Sequence, residues 1–203
     1  MLKKLVAGAC AALLAVTANA AVVTFDDVGQ AFSNPITADG FVWTTQASGW
    51  GLFGPASGAC CSVNYNGTQA FYADGQTSAD GAQTTMTAVG GGTFSIGALD
   101  AGIYWAGLGN DTLVITGQLA GGGTVSQTLN IGESWQHYAL SGFNDVTSVQ
   151  FMDGTSGGFG SAPGFGIDNI DLSPTAAVPE TSSLALMLAG LALVGAAARR
   201  RKA

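Results

Sequence analysis

Three aspartates near the two ends of the central sequence have the chemistry of a calcium site. Asp26 and Asp27 lie near the start of this part, and Asp168 lies near its end. Calcium takes about six to eight oxygen ligands, from carboxylates, backbone carbonyls and asparagine side chains. If the first and last strands of the domain lie side by side, the three carboxylates meet, and we expect a structural Ca²⁺ there. Exposure of all three aspartates to water is the alternative.

The pattern G-x-S-x-G, which is typical of a serine nucleophile, occurs at residues 154–158. Such a nucleophile needs a strand before it, a helix after it and a histidine base. A strand precedes the pattern, but residues 159–163 continue a glycine-rich loop. His137, the only histidine, occupies an ordinary position in a predicted strand whose residues alternate. The pattern therefore indicates a loop and not a catalytic triad.

Two other acidic patterns have a backbone explanation. Residues 107–113 resemble one unit of a calcium-binding glycine-rich repeat, but such units bind metal only when successive copies stack. The single copy predicts a turn that enters a strand. Glycoside hydrolysis needs two carboxylates across a cleft, and no such pair can be chosen from the sequence. Four aspartates precede a glycine, as in turns: Asp39, Asp74, Asp80 and Asp153.

Aromatic residues concentrate in the first half of the sequence. Such rings fill the cores of β-sandwiches, and they also stack on sugar rings. Alternation places Phe41 and Trp43 on one strand face, as expected for core residues. Trp50 lies instead in a glycine-rich stretch and is the predicted ligand-contact residue.

The charge distribution excludes one large class of partner. Twelve of the 13 acidic residues lie within residues 21–175, together with one histidine and no lysine or arginine. Phosphate binding requires cationic side chains, so nucleic acid is excluded. For the same reason, we expect membrane contact only through the terminal segments. Without basic partners, the carboxylates depend on hydrogen bonds, hydration or a bound cation.

The six basic residues stand at the two ends, where they fix a topology. Lys3 and Lys4 precede an apolar run and an A-x-A site formed by Ala18 and Ala20, which predicts a signal peptide over residues 1–20, removed by signal peptidase. Residues 184–198 are a second apolar run. As a helix this run would be about 22 Å long, which is shorter than the hydrocarbon core of a membrane, about 30 Å. Basic residues stay on the cytoplasmic side, so we expect everything between the two ends to lie outside. The residues of this topological lock are Arg199, Arg200, Arg201 and Lys202.

The C-terminal segment, residues 176–203, resembles the PEP-CTERM sorting signal of exosortase substrates. It has the motif Val178-Pro179-Glu180, then the apolar helix and the basic end, and it departs from the pattern at Thr181, where a second proline usually stands. The resemblance implies that the membrane protease exosortase reads the motif and removes the tail. It further implies an inner-membrane-anchored precursor and a product at the outer surface or in the extracellular matrix of a Gram-negative bacterium. An anchor that is never cut is the alternative.

Cys60 and Cys61 are adjacent in the part of the chain that is expected outside. Export permits disulfides, but a bond between neighbours closes a strained ring, because consecutive Cα atoms lie about 3.8 Å apart. A vicinal disulfide, two free thiols and bonds to another chain all stay open.

Between the ends, short alternating segments separated by Gly, Asn and Asp predict strands. In the last of them the apolar parity switches across Asp168-Asn169, which predicts a β-bulge. We therefore predict an all-β fold, an antiparallel β-sandwich of the jelly-roll type over residues 21–175, flanked by the signal peptide and the C-terminal hydrophobic helix. The predicted strands are residues 41–45, 84–89, 93–99, 113–119, 125–131, 135–140, 146–152 and 165–172, with a hairpin turn over 120–124.

Phe25-Asp26-Asp27 and Ile167-Asp168-Asn169-Ile170 resemble the ends of jelly-roll carbohydrate-binding modules and galactose-binding-like domains. The resemblance implies contact with a polysaccharide. We expect an exported, exosortase-processed and non-enzymatic surface or matrix protein associated with exopolysaccharide. A glycoside-hydrolase-like enzyme acting on surface polysaccharide, and a purely structural matrix protein without a specific ligand, are the alternatives.

Overall fold

Strands account for all the regular secondary structure in the part of the chain that this computed structural model describes, which is residues 21–28, 31–32, 34–45, 51–53, 64–73, 82–154 and 164–173. These residues all fall within one unit, Asn19–Thr175. They contain no helix that is long and apolar enough to cross a membrane. The strands are β1 (Ala21–Val23), β2 (Ala31–Phe32), β3 (Ile36–Ala38), β4 (Phe41–Thr45), β5 (Gly51–Phe53), β6 (Phe71–Ala73), β7 (Gln83–Ala88), β8 (Ser95–Ile103), β9 (Asp111–Leu119), β10 (Thr124–Ile131), β11 (Gln136–Ala139), β12 (Val146–Asp153) and β13 (Phe165–Ser173).

The strands form two sheets whose paired strands are antiparallel. One sheet has six strands in the order β10-β9-β12-β7-β4-β3, and the other has seven, in the order β11-β8-β13-β6-β5-β2 with β1 paired to β13. The predicted antiparallel β-sandwich of the jelly-roll type is therefore confirmed. The hairpin of β9 and β10 is confirmed as well, with Thr124 opposite Gln118 in the register.

The core lies between the two sheets and is built by alternation. In β4 the buried residues Phe41 and Trp43 alternate with more exposed neighbours, as the sequence predicts. Trp43 comes from the six-stranded sheet and stacks on Phe71 of the seven-stranded sheet, with ring centroids 5.2 Å apart. Phe25 meets the same indole edge-on at 5.2 Å. Burial of these rings supplies much of the hydrophobic driving force that holds the sheets together.

Strand β13 carries an irregularity where its pairing partner changes. Residues 165–167 pair with β6, and residues 170–172 pair with β1, so two short strands share one edge of β13. Between them the register with β8 shifts after Asp168, and Asn169 has a φ of 45°. The predicted bulge is thus confirmed. It turns Ile170 into the core although Ile167, three residues earlier, is also buried there.

Several predictions lie outside the described residues and stay predictions. These are the signal peptide with Ala18 and Ala20, the ligand-contact residue Trp50, the cysteines Cys60 and Cys61, the serine of the G-x-S-x-G pattern, and the sorting signal with Val178, Pro179, Glu180, Arg199, Arg200, Arg201 and Lys202.

Candidate functional site

The outer face of the seven-stranded sheet has a glycine floor covered by a tryptophan. Gly166 of β13 and Gly102 of β8 are Cα partners in the register. A Cβ at Gly166 would lie 2.6 Å from the Trp135 ring, and a Cβ at Gly102 would lie 3.1 Å from it. The indole can therefore lie directly on the two strands only because both positions lack a side chain.

Trp135 is held in place by rings and by one backbone carbonyl. Its Nε1 donates to the carbonyl of Asn64 at 3.1 Å, and the Tyr72 hydroxyl donates to the same carbonyl at 3.4 Å. Tyr72 meets the indole edge-on, with centroids 5.9 Å apart. Burial, and then the charge of Asp168, raises the pKa of Tyr72 well above its usual value, so this hydroxyl stays protonated. The described members of the hydrophobic cluster around these rings, named here as the aromatic cluster, are Ala70, Tyr72, Tyr104, Trp105 and Trp135.

Asp168, which lies on β13 beside the bulge, is fully buried and collects three hydrogen bonds. Its Oδ2 accepts from Asn66 Nδ2 at 2.7 Å and from Thr68 Oγ1 at 2.8 Å. Its Oδ1 accepts from the backbone N–H of Asn169 at 2.8 Å. Asp168 therefore fastens the segment over residues 64–70 to the outer face of the sheet.

The hydrogen bonds continue from Asp168 across two further strands. Asn169 Nδ2 donates to Asp100 Oδ2 at 2.8 Å, and His137 Nδ1 lies 2.8 Å from Asp100 Oδ1. The other ring nitrogen of His137 lies 4.0 Å from Asp171 Oδ2. In the register, Asp100 is opposite Asp168 on one side and opposite His137 on the other. The strands thus place three titratable side chains in one row.

Two members of this row, Asp100 and His137, line a groove. The cavity has a volume of about 370 Å³, and the residues that line it combine one indole with amide, hydroxyl, carboxylate and imidazole groups. A second polar cavity of about 770 Å³ shares Gln136 with it. The lining residues of the first cavity, named here as the groove, are Asn66, Thr68, Asp100, Trp135, Gln136, His137 and Asn169.

The burial of Asp168 changes its acidity. Burial raises the pKa of this carboxyl to about 6, and hydrogen bonds from Thr68, Asn169 and Asn66 lower it in part. The negative charge of Asp26 raises it slightly further. Asp168 is therefore ionised at neutral pH at a cost in stability, and it takes up a proton in mildly acidic solution.

The predicted calcium site is only partly assembled. Strands β1 and β13 do pair side by side, and Asp26 comes near enough to Asp168 to act on its charge. However, both oxygens of Asp168 already accept hydrogen bonds, while Asp26 accepts from the Gln69 N–H at 3.3 Å and Asp27 is exposed. Within the described residues, no three acidic, histidine or cysteine side chains are grouped to hold a metal. Calcium binding by Asp26, Asp27 and Asp168 stays a prediction.

No protein-family model matches the sequence, and the comparison with curated proteins gives no match. The structure is similar to solved carbohydrate-binding modules. The CBM22-1 xylan-binding domain of Paenibacillus barcinonensis Xyn10C is 13% identical, with a TM-score of 0.49 over 79% of this chain and 97% of that chain. The C-terminal family 22 carbohydrate-binding module of Clostridium thermocellum Xyn10B is 16% identical, with a TM-score of 0.41 over 78% of this chain and 95% of that chain. TmCBM61, solved with β-1,4-galactotriose, is 11% identical, with a TM-score of 0.38 over 65% and 88%. These similarities concern the fold and not the residues of the groove.

Proposed function

We propose that this protein is an exported, non-enzymatic glycan-binding protein and that the groove on the seven-stranded sheet is its binding site. The observation that carries the proposal is the position of Trp135 in the same cavity as Asn66, Asp100 and Asn169. A sugar presents an apolar ring face that stacks on an indole, and hydroxyl groups that need both donors and acceptors. The groove offers both kinds of contact side by side.

The burial of Asp168 supports a binding role over catalysis. A carboxyl with a pKa of about 6 has the acidity of a general acid, and Asp100 lies opposite it in the register. Asp168 is 0% exposed, however, so it cannot reach a glycosidic oxygen without the departure of Asn66 and Thr68. We infer that Asp168 orients the groove from below.

Incubation with a panel of polysaccharides separates the three candidate roles. Binding without new reducing ends supports the proposal. New reducing ends, lost in the variant Asp168→Asn, would establish the hydrolase instead. Absence of both binding and cleavage across the panel would leave the purely structural matrix protein.

The route to the surface is part of the proposal and has its own expected result. Protein isolated from its native host should lack residues 1–20 and the residues after about Val178, because the A-x-A site and the V-P-E motif mark the two cuts. Mass spectrometry of the mature protein measures both ends. A mature chain that retains Arg199 to Lys202 would contradict exosortase processing and leave a permanent anchor.

Replacing Trp135 by alanine is expected to weaken glycan binding by about fivefold to 150-fold, since losing a central aromatic contact costs about 1–3 kcal/mol. Trp135→Phe, which keeps an aromatic face, should recover part of the loss. Trp105→Ala is the matched control, because Trp105 belongs to the same aromatic cluster but is outside the described lining of the groove. Affinity electrophoresis in gels containing the polysaccharide gives the dissociation constants. Equal losses for the two alanine variants would contradict this site.

A further inference from the structure

We infer that the groove binds a polysaccharide that carries protonated amino groups, and that Asp100 determines this specificity by pairing with the ammonium. The inference rests on the proposed glycan binding and narrows its ligand class. Its evidence is the surroundings of Asp100, which differ from those of Asp168 beneath the groove.

Asp100 is the carboxylate of the groove that solvent can reach. Its side chain is 27% exposed, whereas Asp168 is 0% exposed. Each Asp100 oxygen has one described partner, from Asn169 and from His137, and a carboxylate oxygen can accept two bonds. Acceptor capacity therefore remains toward the groove.

The groove contains one group that can carry a positive charge, the imidazole of His137, among its described lining residues. That ring already lies between two carboxylates, with Nδ1 2.8 Å from Asp100 and Nε2 4.0 Å from Asp171. It is 59% exposed, so it lies at the rim of the groove. Two acceptors that flank an exposed ring are suited to receive an ammonium from a ligand.

Trp135 provides the second half of an ammonium site. Its indole lies over Gly102, which is two residues from Asp100 on the same strand and therefore on the same face of the sheet. The aromatic face and the carboxylate are thus neighbours in one cavity. An ammonium is attracted by the ring quadrupole as well as by the carboxylate, so an amino sugar gains on both sides.

The negative charge of the whole domain also favours a ligand with protonated amino groups. Residues 5–198 include no lysine or arginine, while residues 21–175 carry twelve carboxylates. Such a field concentrates cationic polymers near the surface and repels polymers that carry carboxylate or sulfate groups. A uronic-acid polysaccharide would meet no lysine or arginine among the described lining residues of the groove, and the one imidazole there, His137, already faces two carboxylates.

Three soluble polymers with one backbone test the inference on the purified full chain at pH 6. They are glycol chitosan, with free amino groups, glycol chitin, in which these groups are acetylated, and carboxymethyl chitin, which is anionic. We expect glycol chitosan to bind about tenfold more tightly than glycol chitin, with no measurable binding of carboxymethyl chitin. Added salt should weaken glycol chitosan binding alone.

The variant Asp100→Asn should reduce glycol chitosan binding about fivefold and leave glycol chitin binding unchanged. Asp145→Asn is the matched control, because it removes the same charge from an exposed residue whose φ of 51° asparagine tolerates. Equal reductions of glycol chitosan binding in the two variants would mean that the negative charge of the whole domain attracts the polymer, without a specific site at Asp100. That result would overturn the inference. Equal binding of the amino and acetylated polymers by the unmodified protein would overturn it without any variant. If no neutral or charged polysaccharide binds at all, the proposed function itself fails.

Discussion

Replacing Trp43 by alanine is expected to lower the free energy of unfolding by about 3–5 kcal/mol, because a large buried side chain would be lost and a cavity would remain. Trp43 is 1% exposed and contacts aromatic rings from both sheets. It stacks on Phe71 at 5.2 Å and on Phe151 at 6.0 Å. Urea denaturation, monitored by far-ultraviolet circular dichroism, measures this change in the free energy of unfolding. The shift of the transition midpoint gives the change if the slope of the free energy against urea concentration stays the same.

Two control variants separate the cavity from other effects. Trp43→Phe keeps a ring and removes the indole N–H, which has no hydrogen-bond partner among the described residues. The free energy of unfolding should fall by at most about half as much in Trp43→Phe as in Trp43→Ala, because the remaining cavity is smaller and no buried donor is left unpaired. Val89→Ala, at a residue 53% exposed, should change the stability by less than about 0.5 kcal/mol. An alanine effect at Trp43 as small as that at Val89 would contradict the packing of the two sheets.

The second large effect concerns the dependence of stability on pH. The folded state raises the pKa of Asp168 from 3.8 to about 6, so between these values the folded chain holds a proton that the unfolded chain has lost. Stability from this group is therefore fully present below pH 3.8 and is lost as the pH rises through about 6. The variant Asp168→Asn cannot ionise and lacks this contribution. We expect the stability of the natural protein, relative to the variant, to fall by up to about 3 kcal/mol between pH 4 and 7.

The measurement is a series of urea denaturations at each pH in the presence of a chelator. Asp145→Asn removes one exposed carboxylate and should follow the natural protein at every pH. Parallel curves for the natural protein and Asp168→Asn would contradict the raised pKa. A repeat with Ca²⁺ in place of the chelator would remove the pH dependence if Asp168 binds the ion, since a bound cation favours the ionised carboxyl.

The long strands were predictable because their alternation is visible over many residues. Eight predicted segments correspond to β4 and β7 to β13. Strands of two or three residues were missed, namely β1, β2, β3, β5 and β6, because such a length shows no period and its pairing depends on distant partners. The bulge in β13 could be predicted, since the apolar parity switches on either side of Asp168-Asn169.

The groove was mostly missed, although its sequence signals exist. From the sequence, Trp50 is the predicted ligand-contact residue, and it lies outside the described residues. Trp135 is predicted only as the first residue of a strand. The signal for Trp135 lies elsewhere, in the glycines Gly102 and Gly166 inside strands β8 and β13, because a glycine inside a strand indicates the close approach of another group. Asp100 is likewise the one charged residue of strand β8. Only the strand register places it opposite both Asp168 and His137, and a register cannot be read from one strand alone.

The pairing of β1 with β13 also sets how the domain would respond to mechanical tension. Ala21 lies opposite Leu172, so the first and last strands leave the sheet at the same end. Tension applied between the two ends would open this antiparallel pair one hydrogen bond after another, from Ala21 toward Val23, and would not shear all the bonds at once. Such unzipping requires little force. The edge of β13 would be uncovered from Leu172 back to Ile170, near Asp168, while β6, on the other side of the bulge, would still be paired.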